Sequence, residues 1–346
     1  MRAISAADSV SVAFHRTRDF LFRPFQWGTF LKLCLVAVIT EGIGSNSHVN
    51  SHGTSHGPQV YPQGPVINSL KDIKPEWIIA IAAIVLLAML ISFVIFYLIT
   101  RLRFAFFHCL VSKTTRIAPG WRLYASQATR FFWLNVVIGI ISFLLVILIF
   151  APFAAGLWHV FHAIPPGGQP DWAELIALFL PIIPILLVLA LAAFAADILL
   201  RDFMLPHFAL DNATSGVAFA RAWAAIKAEK RQFFVYALLR IVLPIIAAIG
   251  VFIVLIIPGL CVAGAIGVLE YGLHSVFTGS SGAEYVVGII FQVFFGVIAF
   301  AFAVLAAICV GGPLSTGIRE YALTFYGGRY PALGNLLDAP PAACML

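Results

Sequence analysis

Long apolar runs divide this chain, and the segments between them alternate between rich in cations and nearly free of them. A helix needs about 20 apolar residues to cross the hydrocarbon core of a bilayer. Six segments qualify, at roughly 25–43, 77–100, 131–152, 173–200, 233–257 and 285–312. They must be helical, because lipid offers no partner to an unpaired backbone N–H or C=O. The charged fraction agrees: 10% of residues, against about 25% in soluble domains. The expected fold is all-α, a polytopic membrane helix bundle of about six transmembrane helices forming one domain over residues 1–346. The first apolar run reads as an uncleaved span rather than a signal peptide.

Of the 21 Lys and Arg residues, 18 fall in segments on one predicted side, Lys71 and Lys74 fall on the other, and Arg240 lies inside a span. Short cytoplasmic loops collect Lys and Arg, so both termini are expected in the cytoplasm. The net charge of +6 is then a topology signal, and no nucleic-acid partner is expected. Residues 259–277 are apolar but carry four glycines, Glu270 and His274. A full span there would reverse the charge rule for the tail, so the segment reads as a re-entrant or interfacial helix on the outer side.

The odd spans share an entry and the even spans an exit. Arg23 precedes Phe25 and Trp27, Arg130 precedes Phe131 to Trp133, and Arg231 precedes Phe233 and Phe234. At the exits Arg101 is followed by Arg103 and Phe104, Arg201 by Asp202 and Phe203, and Arg319 by Glu320 and Tyr321. This order suggests three parallel helical hairpins, about 1–110, 111–212 and 213–330, followed by a flexible cytoplasmic tail at 331–346. The segments entering odd spans look amphipathic. Phe219, Trp223 and Ile226 share one helical face, as do Val10, Phe14 and Leu21. Such helices lie in the membrane interface with cations toward anionic headgroups.

The stretch from Arg201 to Trp223, R-D-F-M-L-P-H-F-A-L-D-N-A-T-S-G-V-A-F-A-R-A-W, and the tail run Tyr326–Gly327–Gly328–Arg329–Tyr330 carry a resemblance. The chain resembles uncharacterised bacterial six-span membrane proteins similar to the membrane domain that precedes some glycerophosphodiester phosphodiesterases. The resemblance implies a helical bundle in a bacterial inner membrane and no activity, because the phosphodiesterase domain is absent.

Three groups of residues invite a chemical reading. His48, His52 and His56 repeat every four residues in a Ser/Gly-rich segment, and neutral imidazoles bind transition metals. His159 and His162 stand near Trp158 on the same predicted side. Asp197 and Arg240 sit at similar depth in spans four and five, a charge pair within the membrane; Glu41 is expected near the outer end of span one. Trp223, Lys227, Lys230, Arg231, Arg122 and Arg130 form the expected lipid or partner interface. No P-loop, H-E-x-x-H or G-x-S-x-G occurs, and the cysteines lack ligand spacing, so no enzyme activity and no cofactor is expected. The expected function is binding of membrane lipids, or of an unidentified membrane or cytoplasmic protein, at the cytoplasmic interface. The alternative is a permease or exporter of a small molecule or metal ion.

Overall fold

The computed structural model describes residues 4–23, 25–42, 75–163, 172–277 and 283–339, and every regular element among them is a helix. The order is α1 (Asp8–Phe22), α2 (Trp27–Ala37), a π turn π1 (Val38–Gly42), α3 (Pro75–Ser112), α4 (Ile117–Leu123), α5 (Ala125–Ala163), α6 (Trp172–Phe179) and α7 (Ile182–Ile198). It continues through a second π turn π2 (Leu199–Met204), α8 (Leu205–Asp211), α9 (Ser215–Ala228), α10 (Lys230–Phe277), α11 (Ala283–Gly327) and α12 (Pro331–Asp338).

Five helical runs are long and apolar enough to cross a membrane: Ile79–Ser112, Ala125–Val160, Leu175–Asp211, Lys230–Ile253 and Gly288–Gly327. This is an integral membrane helix bundle. At 1.5 Å per residue, α3 is about 57 Å long and α10 about 72 Å, near twice the roughly 30 Å hydrocarbon core. The surplus length builds the packed core. The most apolar stretches of α3, α5 and α11 bury nothing inside the protein, which lipid allows and water would not. The arginine-bearing ends of the same helices bury Phe104, Phe106 and Phe107 of α3, Phe131 of α5, Phe203 and Phe208 after α7, Tyr236 of α10, and Tyr321, Phe325 and Tyr326 of α11. All three repeat-like units feed this one core. We call this the basic end of the bundle.

Four expectations change. First, the described part of the first apolar segment packs on a neighbouring helix. α2 and π1 together cover 16 residues, and α2 lies against α11, where a Cβ on Gly312 would stand 2.6 Å from the Cys34 Cα and one on Gly311 3.3 Å from Val38. The segment is apolar because it packs on a glycine face, not because lipid surrounds it on all sides. Second, residues 259–277 continue α10 as one unbroken helix; glycine is tolerated within apolar membrane helices. Third, part of the expected flexible tail is ordered, since α12 buries Leu333 and Leu337 and Leu337 fills the space that a side chain at Gly327 would occupy. Residues 340–346 lie outside the described residues. Fourth, α1 turns Phe14 outward and buries Ser9, Ala13, Thr17 and Leu21. Small residues four apart let α1 approach α11 closely, with the Thr17 Oγ1 lying 3.7 Å from a Cβ built at Gly317.

Candidate functional site

The three arginines that end the even spans, Arg103, Arg201 and Arg319, are all buried at the basic end. They meet Arg240 of α10 and three carboxylates, Glu41, Asp197 and Asp202. Asp202 is the hub. Its Oδ1 accepts Arg319 Nη1 at 3.1 Å, and its Oδ2 accepts the Tyr236 hydroxyl at 2.8 Å and Arg240 Nε at 3.3 Å. Arg319 Nη1 also donates to the Arg201 carbonyl at 2.9 Å, a group presented by the π turn. A π turn rotates the chain relative to an α-helix and recurs at functional positions. Here it puts Arg201, Asp202 and Phe203 in the buried interior together.

The second π turn in the network, π1, delivers Glu41. Its carboxylate lies 3.4 Å from Arg240 Nη2, and the Thr40 carbonyl accepts Arg103 Nε at 3.1 Å. Glu41 therefore sits at the basic end with the arginines of the even-span exits, not at the opposite end of the first apolar segment. Burial pushes the Glu41 carboxyl up, but Arg319, Arg240, Arg201 and Arg103 together outweigh it and hold it below the usual carboxylate range.

The pair expected between Asp197 and Arg240 is divided within this network. Asp197 pairs with Arg201 one turn along the same helix run, while Arg240 pairs with Asp202 and Glu41. Sequence reasoning placed two members and missed Arg103, Arg201, Asp202 and Arg319 as a buried set. The signal was present in the repeated arginine–aromatic exit, which reads equally well as interface anchoring.

Around this core runs an exposed rim of aromatics and cations. Trp223 stacks on Phe219 with ring centroids 6.1 Å apart, and Lys227 Nζ lies 5.8 Å from the Trp223 ring. α9 buries its alanine face, Ala218 and Ala222, so the aromatic face points away from the protein. Lys230, Arg231, Arg122 and Arg130 are exposed, and Arg130 donates to the Asn212 side chain at 3.3 Å. Trp27, Trp133 and Phe234, at the entries of the three odd spans, are exposed as well. A cavity of about 510 Å³ opens beside α1, between charged Arg16, Arg23 and Lys113 and apolar Phe20, Phe30 and Leu33.

His48, His52 and His56 lie outside the described residues. His162 is described and packs its ring on Trp158, with centroids 4.0 Å apart. Among the described residues no group of three or more His, Cys, Asp or Glu side chains is arranged to hold a metal ion.

No curated protein and no solved structure matches the chain. Nothing found links it to the membrane domains that precede glycerophosphodiester phosphodiesterases. A family does match, over nearly the whole of the core and rim just described: from residue 4 to residue 336 the chain belongs to the family of unknown function DUF7544.

Proposed function

We propose that this is a non-enzymatic membrane protein whose basic end binds anionic lipid, or a protein held at that lipid surface, on the cytoplasmic face of a bacterial inner membrane. The observation that carries the reading is the exposed rim. Aromatic rings stacked away from the protein, flanked by cations, match the chemistry of the headgroup layer. α9 supplies its centre through Phe219, Trp223 and Lys227, and Lys230, Arg231, Arg122 and Arg130 extend it. Each Lys or Arg near an anionic surface contributes about 1 kcal/mol of attraction, so such a rim orients the bundle and concentrates acidic lipid beside it.

The test is photocrosslinking in native membranes with benzoylphenylalanine in place of Trp223 and, as a control, in place of Trp158 at the far end of α5. Covalent capture of acidic phospholipid or of one recurrent protein at position 223, and not at 158, supports the reading. Capture of neither at 223 overturns it.

A further inference from the structure

The buried network is short of acceptors. Among the described residues four guanidiniums, those of Arg103, Arg201, Arg240 and Arg319, face three carboxylates, those of Glu41, Asp197 and Asp202. Asp202 is fully engaged, with both oxygens taken. Asp197 is engaged by Arg201. Arg103 and Arg201 are only 5% and 7% exposed. Arg103 Nη2 and Arg201 Nη1 are nevertheless buried with no hydrogen-bond partner among the described residues. The Tyr321 hydroxyl, on the Tyr236 side of the network, is buried without a partner as well, its ring stacked on Tyr236 with centroids 5.0 Å apart. Arg103 and Arg201 also lie close enough to repel each other.

Folded proteins rarely bury a charged donor nitrogen without an acceptor, and here each of two neighbouring guanidiniums has one such nitrogen. The missing group must be an anion, must be small enough for a packed interior, and must accept from several directions. A carboxylate offers two oxygens; a phosphate offers three or more and pairs with guanidinium in forked geometry. The network also lies where the apolar arms end, the depth at which lipid phosphates sit.

We infer that Arg103 and Arg201 hold a phosphate oxyanion inside the basic end, supplied either by a phospholipid headgroup or by free phosphate. The anion completes the network that ties the three even-span exits together. This site is distinct from the exposed rim and does not depend on what the rim binds.

The protein is purified from its own membranes in a phosphate-free mild detergent, stripped by exhaustive detergent exchange, and its phosphorus-to-protein ratio measured by plasma emission. Folded wild-type protein is expected to retain about one phosphorus per chain, the stoichiometry of one forked arginine site, and Arg103→Met to lose most of it. Mass spectrometry of the released material separates the sources. An intact phospholipid identifies a headgroup. Inorganic phosphate that exchanges with radiolabelled phosphate identifies the free ion. Folded wild-type protein without phosphorus, or an unchanged ratio in folded Arg103→Met, overturns the inference. If Arg103→Met does not fold, Arg103→Lys keeps the cation with less fork geometry. It is expected to hold radiolabelled phosphate or the released lipid severalfold more weakly than wild type, and equal retention counts against the site.

Discussion

Arg319 holds Asp202 by its carboxylate at 3.1 Å and, through the same nitrogen, the main-chain carbonyl of Arg201 at 2.9 Å. One guanidinium from the last long helix thus fixes both the charge and the backbone of the π turn that follows α7. Removing one partner from a buried ion pair leaves the other charge without compensation and costs about 3–5 kcal/mol. Asp202→Asn is therefore expected to lower the thermal unfolding midpoint in detergent sharply. The Glu229–Arg329 pair is the comparison. Glu229 is 40% exposed, so water replaces much of what is lost, and Glu229→Gln is expected to cost about 1 kcal/mol or less. Equal losses in the two variants would remove the hub role of Asp202.

Gly312 gives a steric prediction. A Cβ there would stand 2.6 Å from the Cys34 Cα, a backbone atom that cannot swing aside. Gly312→Leu is expected to push α2 off α11, at about 1–3 kcal/mol or more for an overpacked contact. The readout is the Cys34 thiol, which is buried. It should resist maleimide in wild type and label in the variant, as mapped by peptide mass spectrometry. Protection retained in a folded Gly312→Leu protein would show that the contact is not close.

Glu41 gives a pH prediction. Its carboxyl is held below the usual range, so its contribution to stability is present above the unfolded carboxylate value of about 4.3 and is lost as pH falls through the lower folded value. The thermal midpoint should show no Glu41-dependent change between about pH 7 and pH 5. Below about pH 4 the difference between wild type and Glu41→Gln should shrink. A difference that shrinks already near pH 6 would place Glu41 in a different environment.

Topology is open to direct labelling. Ser126 is exposed at the basic end and Trp158 is exposed near the far end of the same helix, α5. In a cysteine-free background, an impermeant maleimide added to intact cells should label Trp158→Cys and spare Ser126→Cys until the cells are opened. The reverse pattern would put the arginine-rich end outside and reject the positive-inside reading.

The helical class and the five long apolar arms were legible in hydropathy, because lipid imposes one solution on an apolar run of that length. The place of Glu41 was not. Hydropathy cannot separate a helix surrounded by lipid from one laid on a glycine face of a neighbour, since both need apolar side chains. The partner of Arg240 was missed for a local reason. Asp197 and Asp202 are five residues apart, and π2 begins between them at Leu199, so a purely α-helical register cannot tell which carboxylate reaches across. Arg103 and Arg319 were legible as cations but not as buried ones, because burial depended on helices continuing well past the membrane boundary. On α9 the aromatic face was found from spacing alone, and the structure turns it outward.

α1 packs along α11, and α11 begins at Ala283. A ribosome adding about 5–20 residues per second needs roughly 15–60 s to travel that far. Through that interval the small-residue stripe of α1 and the face of α2 that will meet Gly312 have no mate. Assembly of the basic end thus waits on α11: α1 and α2 stand at the membrane until it is made, and a chain cut short before α11 carries one half of a joint that never closes.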